Sequence, residues 1–279
     1  MTETGPIPSY DEIVRRNFGV YTHEEQRKLR KGSVAIAGVG CVGGMTAIIL
    51  ARAGVGKLTL IDNDFFDAAN LNRQPFATLG TLGLPKVVAA GRFLRDMNPH
   101  LSLNLCNCRL VRENVESLIS NHDVVVQGMD HVPSRVLLHE KAASLGIPIV
   151  TMSGQPPFKG FVSTFMPTGP SYREVLSLPE MTDEQANEMI LRERAAHAKQ
   201  FASPGWYDQF VRGQAGWGVT AERVYLMATL QAFETIRLLI GRGARACAPK
   251  AYIINLDEPE YLVRIASPPN GRCWNYREF

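Results

Sequence analysis

Along this chain the hydrophobic positions switch repeatedly between strand-like and helix-like spacing. Ser33 to Gly38 (SVAIAG) is a short apolar run that ends in glycines, which predicts a strand. Thr46 to Ala53 predicts a helix, and Lys57 to Ile61 (KLTLI) a second strand. Lys86 to Met97 carries Val87, Val88, Phe93 and Leu94 at helical spacing and stops at Asn98-Pro99. Leu101 to Cys106 alternates like a strand, Asp123 to Val126 reads as a buried one, Pro133 to Ser144 as a helix and Ile147 to Met152 as another strand. This β-α-β-α-β rhythm predicts an α/β fold: a Rossmann-like, doubly wound, mostly parallel sheet with helices on both faces.

After Gly160 the pattern weakens. Phe161 to Phe165 predicts a strand, and Pro167 to Gln214 is polar and irregular apart from a charged helix over Asp183 to Gln200. Val219 to Ile240 predicts a long C-terminal helix ending at Gly241, with Val224, Leu226, Met227, Leu230, Phe233, Ile236 and Leu239 as its apolar positions. Two closing strands follow, Tyr252 to Leu256 and Tyr261 to Ile265. No repeat or clean linker divides the chain, so a single domain over 1–279 is expected. Its nucleotide-binding part covers about 30–152, a crossover part about 153–215, and the C-terminal helix and strands 216–279. Met1 to Pro8 reads as a loose leader.

Composition narrows the function classes. A 45% hydrophobic share excludes wholesale disorder, and 30 basic against 27 acidic residues leaves a formal charge of only +3, which does not imply nucleic-acid binding. No apolar run reaches the roughly 18–20 residues of a membrane span. The polar N-terminus resembles no signal peptide, and five cysteines are too few for a disulfide scaffold. A reducing, cytoplasmic setting is expected.

The chemistry begins at Gly38-Val39-Gly40-Cys41-Val42-Gly43, a G-x-G-x-x-G loop between a predicted strand and helix. Glycines there allow a tight turn and let backbone N–H groups approach a phosphate at the positive helix end. Asp62 closes the second strand, where a carboxylate can bind a ribose hydroxyl. Alone this says an adenine nucleotide of some kind. Asp64, Asn70, Asn72, Arg73, Gln74, Lys86 and Asp130 favour a triphosphate over a dinucleotide, since Arg and Lys neutralise phosphate oxygens and amides donate to them. Asp130, at the carboxyl edge of the sheet, is the candidate ligand for Mg²⁺.

These residues resemble the ThiF/MoeB/HesA adenylyltransferases, the group that includes ubiquitin-activating enzymes. The resemblance is carried by Arg16-Asn17 ahead of EEQRKL, the GVGCVGG loop, LIDNDFFDAANLNRQ, GLPK at 83–86, MNPH at 97–100, VVQGMD at 125–130 and IPIVTMSG at 147–154. It implies that Gly40 and Gly43 belong to the nucleotide loop and that Asp62 meets the ribose. It further implies that Asn70 and Arg73 contact the γ- and β-phosphates with Gln74 beside them, that Lys86 is the phosphate lysine, and that Asp130 is the Mg²⁺-linked carboxylate. Arg16 resembles an arginine that reaches the partner subunit's ATP in the family's homodimers. The implied activity is ATP- and Mg²⁺-dependent adenylation of a carboxylate on a peptide or a small ubiquitin-like sulfur carrier.

The sequence also departs from the family. Cys41 stands at a loop position that is commonly glycine, where a small side chain is tolerated. Where members hold structural zinc with two C-x-x-C pairs, this chain has Ser171-Tyr172-Arg173-Glu174 and a solitary Cys247, so no zinc is expected. Cys106 and Cys108 read as ordinary strand residues, and His197 with the basic stretch Arg192 to Lys199 as a solvated helix face. Residues 153–246 contain no cysteine, so adenylation without an enzyme thioester is expected. The alternatives are a tRNA-modifying dehydratase of the same superfamily, an NAD-dependent oxidoreductase and a non-catalytic dimeric scaffold. The low net charge disfavours the first, the Asn-Arg-Gln set opposes the second and the intact phosphate set opposes the third.

Overall fold

A computed structural model describes residues 6–155, 159–178, 182–199, 205–269, 271 and 273–274. The chain opens with the short helix α1 (Tyr10–Ile13) and α2 (His23–Lys31), then alternates β1 (Ser33–Ala37), α3 (Cys41–Ala53), β2 (Lys57–Ile61), α4 (Lys86–Met97) and β3 (Ser102–Cys106). It continues through α5 (Val115–Ile119), β4 (Val124–Gln127), α6 (Val132–Ser144) and the hairpin of β5 (Ile149–Gln155) with β6 (Lys159–Phe165). Helices α7 (Tyr172–Val175), α8 (Asp183–Ala198), α9 (Trp206–Val211) and α10 (Ala221–Ile240) lead to β7 (Ala251–Asn255) and β8 (Val263–Ala266).

The strands join in one sheet of order β3-β2-β1-β4-β5-β6-β7-β8. The pairings from β3 across to β5 are parallel and the remainder antiparallel. The order reverses between β1 and β4, so a crevice opens there beyond the carboxyl ends of the strands. Alternate side chains of β1 and β4 serve two cores. Ala35, Ala37 and Val125 pack under α5, α6 and α8, while Val34, Ile36, Val124 and Val126 pack under α3, α4 and α10. Burial on both faces explains why these strands read as continuous apolar runs.

Two differences from the sequence expectation have clear causes. Helix α3 begins at Cys41 rather than Thr46, because Gly43 and Gly44 are poor helix formers yet are required where the first turn is tightly packed. The stretch after Pro167, expected to be polar and irregular apart from one charged helix, also packs on the core, since Ala186 and Ile190 of α8 are wholly buried against α6 and β5. The His197 side chain, Gln200 and residues 1–5 of the N-terminal leader lie outside the described residues.

The N-terminal segment is anchored on its own chain. Tyr10 and Val14 are buried, and the Tyr10 hydroxyl donates to Gly54 O at 2.7 Å. Gln26 Nε2 donates to that hydroxyl at 2.8 Å and to Ala53 O at 2.9 Å. Arg16 sits on the exposed outer side of this segment.

Candidate active site

The crevice exists because three glycines let three backbone segments converge at the end of β1 and β4. Gly38 has φ of +90°, and a Cβ there would stand 2.6 Å from the Gly128 carbonyl carbon. A Cβ on Gly43 would meet Gly38 O at 1.9 Å, and one on Gly128 would meet Gly43 Cα at 3.0 Å. Gly38 and Gly43 therefore serve close approach as much as phosphate access. Gly40 caps α3, whose unsatisfied N–H groups face the crevice.

The cleft beyond has a volume of about 470 Å³ and is lined by Gly38, Gly40, Cys41, Asp62, Asp64, Arg73, Gln74, Lys86 and Asp130 together. Asp62 accepts from Val39 N at 2.7 Å and Asp64 N at 2.9 Å, so its carboxylate ties the glycine loop to the end of β2. Lys86, the buried first residue of α4, reaches Asp64 at 3.1 Å. Arg73 donates to Asn72 Oδ1 at 2.8 Å and to Ala69 O. Gln74 Oε1 is buried without a hydrogen-bond partner among the described residues and stands 3.7 Å from where a Gly40 Cβ would be, a polar atom beside the loop.

Four expected site residues lie elsewhere. Gly43 packs behind the loop instead of lining the cleft. Asn70 is buried and caps its own turn, accepting from Asp67 N at 3.4 Å, and is not among the residues lining the cleft. Asn72 turns away to donate to Val219 O at 3.0 Å and acts as a strut between Arg73 and the segment before α10. Arg16 does not line this chain's cleft.

The match to the ThiF family model runs over residues 14–275. This chain belongs to the ThiF family. It is 35% identical over 150 residues to the SAMP-activating enzyme E1 of Haloferax volcanii, covering 54% of this chain and about half, 55%, of that protein's length. It is 28% identical over 248 residues to the molybdopterin-synthase adenylyltransferase of Haemophilus influenzae, covering 86% of this chain and 89% of that protein. Among solved structures, E. coli MccB with MccA-N7isoASN superposes with a TM-score of 0.72 at 20% identity, over 94% of this chain and 72% of that one. MccB has also been captured with ATP, and that structure matches at 0.70 with 20% identity over 94% of this chain and 73% of that one. E. coli tRNA N6-threonylcarbamoyladenosine dehydratase matches with a TM-score of 0.62 at 20% identity, over 83% of this chain and 95% of that one.

This ThiF-family cleft also contains residues that sequence reasoning passed over. Arg135 of α6 and Arg223 of α10 line it although each is only 2% exposed. Arg135 donates through Nε to Met129 O at 2.7 Å and reaches Ser153 Oγ at 3.4 Å, tying the loop that bears Asp130 to β5. An arginine on an amphipathic helix reads as a surface residue, so no sequence signal marks either one. Trp217 closes part of the rim, packed on Phe210 with ring centroids 4.3 Å apart.

Cys108 lies beyond the end of β3 and lines the cleft, so it is not the strand residue expected. Cys106 ends that strand, where burial raises its thiol pKa. Ser171 to Glu174, where ThiF-family zinc cysteines would begin, forms the capping box of α7. Among the described residues no three His, Cys, Asp or Glu side chains cluster as a metal site. A Mg²⁺ ion retains waters and shares phosphate oxygens, so the exposed Asp130 carboxylate, with no hydrogen-bond partner among the described residues, fits it as a single protein ligand. No described helix is long and apolar enough to cross a membrane.

Proposed function

We propose that this chain uses ATP and Mg²⁺ to adenylate a carboxylate on a peptide or a small ubiquitin-like carrier protein, in a reducing, cytoplasmic setting. The observation that carries the reading is the meeting of Asp62, Arg73, Gln74, Lys86 and Asp130 in one cleft at the mouth of the glycine loop. A carboxylate oxygen attacks the α-phosphorus, the bond from that phosphorus to the β-phosphate bridging oxygen breaks, and pyrophosphate leaves with its electron pair. No proton moves. In this reading Asp62 holds the ribose, while Arg73 and Lys86 neutralise the charge that spreads onto the leaving phosphates. Lys86 exchanges Asp64 for phosphate when the nucleotide arrives. Asp130 would hold Mg²⁺, which would add to that neutralisation when bound. Relatives named as adenylyltransferases, and an MccB neighbour seen with ATP, support this choice over NAD.

The absence of cysteine from 153–246 favours release of the acyl adenylate without an enzyme thioester. The replacement of the first C-x-x-C pair by Ser171 to Glu174 favours a site without zinc. A fold shared with a tRNA dehydratase keeps a nucleoside acceptor as the second reading, which the formal charge of +3 does not favour.

We further propose a homodimer in which Arg16 serves the partner's site. Asn17 beside it donates to Ala53 O at the carboxyl end of α3, while the glycine loop lies at the amino end. Thirteen residues at about 1.5 Å each separate those ends by roughly 20 Å, beyond the reach of a side chain. An Arg16 contact with a phosphate therefore requires a second copy.

The test of the adenylation reading is ATP–pyrophosphate exchange with candidate peptide and carrier acceptors, followed by mass spectrometry of the products. An adenylated or cyclised acceptor is expected. NAD binding without exchange, or a thiol-sensitive adduct on any of the five cysteines, would overturn it.

A further inference from the structure

The residues that line the cleft come from opposite faces of the sheet. Lys86 opens α4, and Gln74 leads into Phe76, whose ring lies 3.3 Å from where a Gly44 Cβ would stand, so both belong to the layer of α3 and α4. Cys108, Leu110 and Met129 pack instead with the core under α5, α6 and α8. Asp62 directly follows β2, in the sheet that separates the two layers. Adenylation as proposed above sets the ribose at Asp62 and the phosphates against Arg73 and Lys86. Base and phosphates leave a ribose from opposite ends, so the base falls to the second layer.

That layer presents one loop to the base. Asp62 N donates to Cys106 O at 3.2 Å, so the chain leaving β3 starts beside the ribose position. Asn114 then holds the backbone of this loop in place. Its Oδ1 accepts from Val111 N at 2.9 Å, and its Nδ2 donates to Arg109 O at 2.9 Å and to Cys108 Sγ at 3.9 Å. Leu110, only 5% exposed, and the partly buried Met129 supply apolar surface. Arg109, between Cys108 and Leu110, is exposed and lines the cleft. Its backbone is fixed by Asn114, while its guanidinium forms no hydrogen bond or ion pair among the described residues.

A base resting on an apolar floor still turns its other face to water. A guanidinium is planar, weakly hydrated and permanently charged, so it covers an aromatic face while its charge attracts the ring electrons. The other use of an arginine in a nucleotide site, neutralising phosphate, falls to Arg73 and Lys86 on the opposite layer.

We propose that Arg109 stacks on the nucleobase of the bound nucleotide and presses it against Leu110 and Met129. The ligand class is the planar heterocyclic base of a nucleoside triphosphate, and Arg109 is the residue that fixes its plane. The inference rests on the adenylation reading of the cleft.

Isothermal titration calorimetry on the full chain, with Mg²⁺ and the non-hydrolysable ATP analogue AMPCPP, separates the two ideas. Absence of binding to the wild-type protein overturns the adenylation reading itself. Inorganic tripolyphosphate, which keeps the phosphates and lacks the base, is then measured by its displacement of AMPCPP, and it binds about tenfold or more weakly. Arg109→Ala weakens AMPCPP about tenfold, the scale of a lost base stack, and leaves tripolyphosphate within about twofold. Arg109→Tyr keeps a flat face without the charge and holds AMPCPP within about threefold of wild type, whereas Arg109→Lys, charged without a flat face, recovers less. Should Arg109→Ala fail to fold, the comparison of Arg109→Tyr with Arg109→Lys decides alone. Equal losses of AMPCPP and tripolyphosphate in Arg109→Ala, or better recovery with Lys than with Tyr, would put the guanidinium on a phosphate and overturn the inference. Full AMPCPP affinity in Arg109→Ala, or wild-type tripolyphosphate binding as tight as that of AMPCPP, overturns it equally.

Discussion

A methyl group added at Gly43 would meet the Gly38 carbonyl oxygen at 1.9 Å, and neither backbone segment can retreat from the switch point. Gly43→Ala should therefore displace the loop, lowering stability by about 1–3 kcal/mol, as overpacking does, and abolishing detectable ATP binding. A variant with wild-type urea midpoint and wild-type ATP affinity would contradict this. His139 offers a separate test at the same scale. It is stacked on Tyr172 at 4.2 Å, edge-on to Phe165 at 4.8 Å, and its Nε2 is buried without a hydrogen-bond partner among the described residues. Burial, with the nearby charge of Arg135, lowers its pKa from 6.5 to about 3. Between those values the unfolded chain binds a proton that the native chain refuses. Stability is thus retained above pH 6.5 and lost as pH falls toward 3, at up to about 1.4 kcal/mol per pH unit. His139→Phe keeps an aromatic ring and removes this titration, so its unfolding midpoint should decline less steeply from pH 6.5 to 4.5. Parallel pH curves for the two proteins would show that His139 is not buried neutral.

At the scale of elements, α10 shows both what sequence can reveal and what it conceals. Its length and its apolar Val224, Met227 and Ile236 were legible from the 3.6-residue period, and all three are buried. Phe233, expected on the same face, is 40% exposed, while Gln231 and Glu234 are wholly buried. The pattern could not show this, because burying a polar side chain depends on partners far away in sequence. Gln231 Nε2 donates to Gln127 O at 2.8 Å and Val150 O at 3.0 Å, and its Oε1 accepts from Thr46 at 3.0 Å. Glu234 accepts from the Tyr252 hydroxyl at 2.7 Å and from Arg245 N at 2.8 Å. The glycine loop and Asp62 were legible for the opposite reason, since their spacing is a local consequence of one β-α-β turn. Arg223 was missed for the same reason as Gln231. Replacing Gln231 by Leu removes one of the two acceptors of Thr46 and the donor to the Gln127 and Val150 carbonyls. It should cost about 2–3 kcal/mol, read as a lower urea midpoint with little change in m-value. An unchanged midpoint would mean that α10 is held over β4 and β5 by its apolar contacts alone.

For the whole molecule, the remaining question is whether one chain contains a complete site. Its own cleft holds Asp62, Arg73, Lys86 and Asp130, but Arg16 stands at the far end of α3, fixed there by the Tyr10, Asn17 and Gln26 contacts. That anchoring makes a swing of the segment into its own cleft costly, because it would expose Tyr10 and Val14 and break the hydrogen bonds to Ala53 and Gly54. A rigidly presented, exposed arginine instead suits a two-fold contact, in which each copy offers the same group to the other. There it would add positive charge as the pyrophosphate departs. Complementation tests this with two chains, Arg16→Ala and Asp130→Asn, each expected to lose about 10²-fold or more in pyrophosphate exchange. If sites are shared, a mixed dimer gathers both defects into one site and leaves the other whole. Random exchange of equal amounts makes half the dimers mixed, so activity should return to about a quarter of wild type. Mixed dimers that form, as judged by differently tagged chains purifying together, yet stay inactive would show that Arg16 takes no part in the partner's site.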